Sequence, residues 1–297
     1  MGGPMTLPFH DPTALAGLGG LDLIAKQLVE GYLIGQHQSP FKGSSVEFVE
    51  HRPYYPGDEI RHIDWRAYAK TGKYYVKEYE EETNLRCQLL VDCSGSMAFR
   101  GRTLSKYDYA RQLAAALTYL LLAQRDACGL ITFHTEIADR LEPATQPLTF
   151  QHITRMLAAR KPGAETGLAR VLEQIHPTVK RRGLIVLLSD CFDHLDSLMQ
   201  GLQPFRGARH EVLVFHITAP EEDEFPYSRP TQFRNLERAD QRLLIDPHRF
   251  RQRYLDRYRQ FCADLETRCG AAGIGYLKLS TATPYHVALG AYLASRK

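Results

Sequence analysis

From Leu85 onward, short uninterrupted apolar runs alternate with amphipathic stretches of helical spacing, and this alternation restricts the architecture more than any other feature of the chain. It predicts strand 85–92, helix 105–124, strand 128–134, helices 147–160 and 166–176, strand 183–189, helix 194–204 and strand 210–217. Helix 248–271, strand 274–279 and helix 284–295 follow. Strands that are apolar along their whole length need cover on both faces, and the intervening helices suit crossovers between parallel neighbours. The expected fold class is therefore α/β, a doubly wound, mostly parallel sheet of Rossmann-like form. Residues 219–247 interrupt the alternation with the acidic turn Glu221-Glu222-Asp223-Glu224 and two short extended pieces, Thr231–Leu236 and Gln241–Ile245, which read as an inserted β-hairpin.

Upstream, Leu23, Ile24, Leu28 and Leu33 have helical spacing, Ser44–His51 and Tyr74–Tyr79 read as extended, and Tyr55-Pro56-Gly57-Asp58 is a turn signal. Residues 1–84 are thus expected to form a small α+β extension, too small for an independent fold, in front of a domain at 85–297. The 37 Lys and Arg against 34 Asp and Glu leave a net charge of +3 spread along the 297 residues, which gives no strong attraction to nucleic acid or an anionic membrane. Leu113–Ala123 and Leu184–Leu188 are the longest apolar stretches and fall short of the roughly 20 residues of a membrane span. Cys87, Cys93, Cys128, Cys191, Cys262 and Cys269 form no Cys-x-x-Cys pair and follow no secretory leader, so reduced thiols in the cytoplasm are expected.

The first strand of the alternation runs into Asp92, Ser94 and Ser96. Where a strand opens into a loop, alternate residues project the same way, so one carboxylate and two hydroxyls can converge while Gly95 allows a tight bend. Hard oxygen donors select Mg²⁺, with Mn²⁺ as the alternative, over zinc. In an open parallel sheet, ligands bind beyond the carboxyl ends of the strands at the switch point. Asp190 ends a second strand, and Thr166, after the Lys161-Pro162-Gly163 turn, offers a third hydroxyl. The donor set is Asp92, Ser94, Ser96, Thr166 and Asp190; the competing reading has Ser94 and Ser96 capping a turn and Asp92 capping a helix.

Asp92-x-Ser94-x-Ser96, Thr166 and the strand-terminal Asp190 together resemble the metal-ion-dependent adhesion site of von Willebrand factor A domains. That resemblance implies an ion held by the hydroxyls and by carboxylates acting directly or through water, with one position open to an acidic side chain of a partner. Two departures stand out: Cys191 follows Asp190 where Gly is common, and Glu165 precedes Thr166, so Glu165 or Asp193 would compete for the ion. Gly57-Asp58-Glu59-Ile60-Arg61-x-Ile63-Asp64-Trp65, Tyr75-Val76-Lys77-Glu78-Tyr79-Glu80 and Lys106-Tyr107-Asp108-Tyr109-Ala110 resemble the signature of the domain-of-unknown-function-58 family of bacterial proteins. The resemblance implies a cytosolic von Willebrand A-like protein paired with a MoxR-type AAA+ ATPase in assembling or activating client complexes. Many members carry membrane helices before the signature, and that anchor is not carried over here. Gly57–Arg66 reads as an Arg/Asp network around Trp65, the only Trp, acting as a packing anchor, with a partner surface as the competing reading.

The expected function is thus a metal-dependent protein-binding module without catalytic residues. Its rival is a Mg²⁺-dependent hydrolase or phosphatase using the same two carboxylates. No Walker loop, Asp-x-Asp-x-Thr sequence or Gly-x-Ser-x-Gly elbow supports the rival, and a metal-bound Ser94 or Ser96 is not available as a nucleophile.

Overall fold

The computed structural model describes residues 20–30 apart from 22 and 27, 51–53, 65–77, and 85–294 apart from 164, 166, 238 and 239. The chain divides into two units, Met1–Ile34 together with Leu85–Lys297, and Gly35–Asn84. In the smaller unit, β1 (His51–Pro53) and β2 (Tyr75–Lys77) pair antiparallel, and α1 (Trp65–Thr71) lies between them in sequence. Gly72, at a φ of +67°, ends α1 in the left-handed conformation that glycine adopts without strain. Trp65 is 56 % exposed and meets Tyr68 edge-on at 6.3 Å, while Tyr68 and Tyr74 stack at 4.4 Å. The expected buried anchor is therefore not seen at Trp65, and Gly57–Asp64, the rest of its signature, lies outside the described residues.

The larger unit contains β3 (Arg86–Asp92), β4 (Ala127–Phe133), β5 (Ile137–Ala144), β6 (Leu184–Ser189), β7 (Glu211–Thr218), the pair β8 (Thr231–Arg234) and β9 (Arg242–Ile245), and β10 (Gly275–Ser280). Its helices are α2 (Lys106–Ala123), α3 (Pro147–Ala159), α4 (Leu168–Ile175), α5 (Leu195–Gly207), the short α6 (Pro220–Glu224), α7 (Pro247–Ala271) and α8 (Tyr285–Ala294). Six strands form one sheet in the order β10-β7-β6-β3-β4-β5, parallel except for β5. β8 and β9 pair antiparallel as the inserted hairpin.

Alternation of side chains through the sheet explains why both faces are covered. Cys87, Leu89 and Val91 of β3 and Val186 and Leu188 of β6 join a core with Leu113 and Leu117 of α2, Leu157 of α3 and Leu289 of α8. Leu90 of β3 and Ile185 and Leu187 of β6 join the opposite core with Leu172 of α4, Leu202 of α5 and Leu265 of α7. Ile24, Leu28 and Val29, from the helix expected near the N-terminus, pack into the first of these cores. Helix α2 starts on the N-cap Ser105, whose hydroxyl accepts from Asp108 N at 3.0 Å and donates to the Asp108 carboxylate at 2.7 Å.

The antiparallel strand β5 was not expected, because Ile137–Ala144 is half exposed and mixes charged residues with Pro143, the composition of an edge strand. Its pairing with β4 shifts register between Cys128 and Leu130. A Cβ on Gly129 would stand 2.6 Å from the Leu141 carbonyl oxygen and 2.7 Å from Pro143 N, so only glycine admits the close approach. Gly129→Ala is expected to destabilise the protein by about 1–3 kcal/mol through overpacking against backbone, read as a lower urea midpoint.

Candidate functional site

Strands β3 and β6 are parallel neighbours with Val91 opposite Leu188, so their chains leave the sheet side by side. The first connection from β3 leads to β4 on one side while β6 lies on the other, which makes this the switch point at which open α/β sheets bind ligands. Asp92 is fully buried, its Oδ1 accepting from Ser94 N at 2.8 Å and its Oδ2 from the Ser189 hydroxyl at 2.6 Å. The first of these bonds folds the loop back as an Asx turn. It leads into a 3₁₀ turn at Gly95–Ala98 and leaves the Ser94 and Ser96 hydroxyl oxygens 3.1 Å apart. The loop is held to β4 by the Cys93 N–H, which donates to the Phe133 carbonyl at 2.7 Å. Gly163 N donates to the Cys93 carbonyl at 2.9 Å, bringing the 161–163 turn alongside.

Asp92, Ser94, Ser96 and Asp190 therefore come together at one edge of the sheet, and Thr166 lies outside the described residues. Burial, and then the charge of nearby Asp190, pushes the Asp92 carboxyl up to about 7. Cys191, the residue standing where Gly is common, takes a φ of +55°. The left-handed position explains that preference, and a cysteine there carries about 1–2 kcal/mol of backbone strain. Asp193, the expected competitor for a cation, accepts from Ala169 N at the start of α4 at 3.1 Å and from His194 N at 2.7 Å. Among the described residues, no group of three or more His, Cys, Asp and Glu is arranged to hold a metal, so a cation here would rely on the serine hydroxyls.

Sequence reasoning missed the charge at the centre of this edge. Lys106, the first residue of α2, is 1 % exposed, and its ammonium donates to Asp190 Oδ2 at 2.7 Å and to Glu222 Oε1 at 2.9 Å. It also stands 4.9 Å from the centre of the Phe192 ring. Burial works against its charge, but the Asp190 and Glu222 carboxylates outweigh it and hold the ammonium above its ordinary value. The other Glu222 oxygen accepts from Ala219 N at 2.7 Å. The rest of α6 is tied down in the same way: Glu221 accepts from Arg102 N at 2.7 Å and Arg102 Nε at 3.1 Å, Glu224 pairs with Arg102, and Asp223 pairs with Lys278. The acidic run expected as a plain turn is a clasp over the loop that follows Ser96. The sequence signal for Lys106 was its place, since a cation in the first turn of a helix opposes the helix dipole unless an anion holds it.

Activated nucleophiles are not found among the cysteines. Burial pushes the Cys93 and Cys128 thiols up to about 12 and Cys269 up to about 11, the reverse of what reactive thiolates need. His216 of β7 is buried with its Nδ1 2.8 Å from the Tyr276 hydroxyl, and burial takes it down to about 4, so the ring stays neutral.

Two expectations follow from these electrostatics. Lys106→Met leaves Asp190 and Glu222 buried without their counter-charge and should cost about 3–5 kcal/mol in urea unfolding. Arg102→Ala, whose pairs are solvent-exposed on the arginine side, should lower the urea midpoint much less than Lys106→Met. Second, an unfolded Asp92 releases its proton near 3.8, whereas the folded one keeps it to about 7. Between these values the native state holds the proton that the unfolded state has lost, so the Asp92 contribution falls as pH rises and is level above about 7. In chelator-treated protein, Asp92→Asn should flatten that part of the decline, seen as a Tm difference from the native chain that grows in favour of the variant from pH 5 to pH 8.

With helices on both faces of a mostly parallel sheet and its polar cluster at the strand ends, the chain is a mixed α/β protein with its candidate site at the switch point. Residues 50–263 match the family described as protein of unknown function DUF58, and the chain belongs to that family. The uncharacterized protein Rv1480 of Mycobacterium tuberculosis is 32 % identical over 222 residues, which span 73 % of this chain and 68 % of the relative. The uncharacterized protein Mb1516 of Mycobacterium bovis matches to the same extent. Among solved structures, an aerotolerance-related membrane protein from Bacteroides fragilis, in a form with multiple mutations to serines, aligns over 71 % of this chain and 99 % of its own at 14 % identity and a TM-score of 0.49. The conserved hypothetical protein BatB from Bacteroides thetaiotaomicron aligns over 71 % and 98 % at 12 % identity and a TM-score of 0.48. No helix among the described residues is long and apolar enough to cross a membrane.

Proposed function

We propose that this chain is a von Willebrand factor A-like protein-binding module that holds Mg²⁺, or secondarily Mn²⁺, at Asp92, Ser94, Ser96, Thr166 and Asp190. In this reading it captures a carboxylate of a protein partner, and serves as a cytoplasmic adaptor for a MoxR-type AAA+ ATPase acting on client complexes. The observation that carries the metal is the 3.1 Å separation of the Ser94 and Ser96 hydroxyl oxygens beside two buried carboxylates. Donors at about 2.1 Å from Mg²⁺ on neighbouring corners of an octahedron stand about 3.0 Å apart. The charge supports the same fit, because among the described residues Lys106 is the one ammonium paired into the cluster of Asp92, Asp190 and Glu222, and the Asp92 carboxyl is raised by burial and then by the charge of Asp190.

Each residue has a distinct part. The Ser189 hydroxyl and Ser94 N–H fix the Asp92 carboxylate, Lys106 fixes Asp190, and the Gly163 N–H holds the turn that leads to Thr166. With those oxygens engaged, Asp92 and Asp190 are suited to hold the ion through water, while Ser94 and Ser96 face it with neutral donors. When bound, the ion would supply positive charge that neutral hydroxyls do not cancel, and this draws a partner's Asp or Glu. We assign no catalytic role, since the serines serve as donors, the buried cysteines stay protonated and His216 is occupied with Tyr276.

The test is a pull-down from native lysate with the chain as bait, in Mg²⁺ and in EDTA, alongside Mg²⁺ titration by calorimetry. An AAA+ ATPase or its client should be retained only with Mg²⁺. Asp92→Ala should lose both Mg²⁺ heat and retention while keeping a native circular dichroism spectrum. Retention unchanged by EDTA, or by Asp92→Ala, would refute the metal bridge.

A further inference from the structure

The geometry points to a second contact site on the same edge, a groove that takes an acidic segment of a protein partner bearing an aromatic or large aliphatic side chain. It rests on the preceding reading only for the assumption that this edge faces the partner.

The groove has a volume of about 270 Å³ and lies between α7 and the loop that follows Asp190. Phe250, Tyr254 and Phe261 recur along α7 at the spacing of one helical stripe and form one wall. Phe192 faces them, its ring stacked on Phe261 with centroids 5.8 Å apart. This wall is part of the polar cluster: the Phe192 N–H donates to Asp190 Oδ1 at 3.3 Å, and the Lys106 ammonium lies 4.9 Å from its ring centre. Phe250 is 42 % exposed and Phe192 39 % exposed, an apolar surface that a polar helix face would not carry without a use.

Two arginines decide what the occupant is. Arg253 and Arg257, four residues apart, line the groove, are exposed, and meet no acidic partner among the described residues. Of the other arginines of this helix, Arg249 pairs with Asp246, Arg251 donates to the carbonyls of Glu224 and Phe225, Arg268 pairs with Asp196, and Arg259 is exposed but does not line the groove. A groove of aromatic walls edged by two free guanidinium groups complements a side chain such as Phe or Leu flanked by carboxylates. Aromatic and Arg surfaces also bind single-stranded nucleic acid. Here only two guanidinium groups edge the groove and the net charge of +3 is spread along the 297 residues, so there is no continuous basic track for a phosphate chain, whereas two arginines suffice for isolated carboxylates.

The experiment selects a phage-displayed library of random dodecapeptides on the intact chain in Mg²⁺ and measures recovered peptides by fluorescence anisotropy. Recovered sequences should place Asp or Glu beside Phe, Tyr, Trp or Leu. Arg253→Glu combined with Arg257→Glu should weaken them by roughly tenfold or more, and the exposed-site variant Phe250→Ser should weaken them while keeping the native melting temperature. If the groove reading stands and the metal reading fails, EDTA and Asp92→Ala leave the affinities unchanged while the arginine reversal still acts. If the metal reading stands and the groove reading fails, the reverse is seen. No enrichment, or peptides indifferent to the arginine reversal, would overturn the groove. So would two other results that depend on Arg253 and Arg257: binding of oligo(dT) or oligo(U), or dimerisation of the chain in light scattering.

Discussion

The carboxyl edge of the sheet depends on one buried ammonium group. Lys106 leaves the first turn of α2, crosses beneath the loop that follows β6, and joins Asp190 to Glu222, so a helix, the end of a strand and the base of the inserted hairpin are held by a single charge. Buried ion pairs add little net stability compared with apolar packing, but they punish any arrangement that separates the charges. Such a contact specifies position, and position is what a cluster of donors at a switch point requires.

The acidic run of α6 extends that logic outward. Four consecutive acids would repel one another on a free surface, yet here Glu221 and Glu224 meet Arg102, Glu222 meets Lys106 and Asp223 meets Lys278. Arg102 lies just past the 3₁₀ turn that begins at Ser94, so the clasp limits how far the hydroxyl loop can open. Gly101 is part of the fit, since a Cβ there would fall 1.9 Å from the Glu221 carboxylate. The 219–247 insertion is thereby tied to the edge at its start, through α6.

Much of this was legible in the sequence, for a physical reason. β3, β4, β6 and β7 are buried on both faces and must be apolar throughout, and helices such as α4 and α5 show an apolar stripe, so both periods survive in the letters. Asp92 and Asp190 were legible because each interrupts an apolar run at its end. β5 was not, because an edge strand needs neither burial nor alternation. Lys106 was not, because a lysine gains its meaning from anions that are 84 and 116 residues away in sequence. The groove was hidden for the same reason: Phe192 and Phe261 belong to different elements, and only the fold makes them one surface.

The proposal that an edge already holding a lysine also takes a divalent ion rests on where the charges lie. Lys106 engages one oxygen of Asp190, whose other oxygen accepts from the Phe192 N–H, and it does not touch Asp92. Among the described residues, Asp92 is held by serine hydroxyls and a backbone N–H, neutral donors that orient a carboxylate without cancelling its charge. Its carboxyl accordingly resists ionising, with burial as the larger cause and Asp190 as the second. Removing the lysine would favour a cation more strongly but would also let Asp190 move. Keeping it fixes the geometry and leaves the carboxyl groups of Asp92, Asp190 and Glu222 against one ammonium, the excess on which the proposed cation and its capture of an outside carboxylate rest.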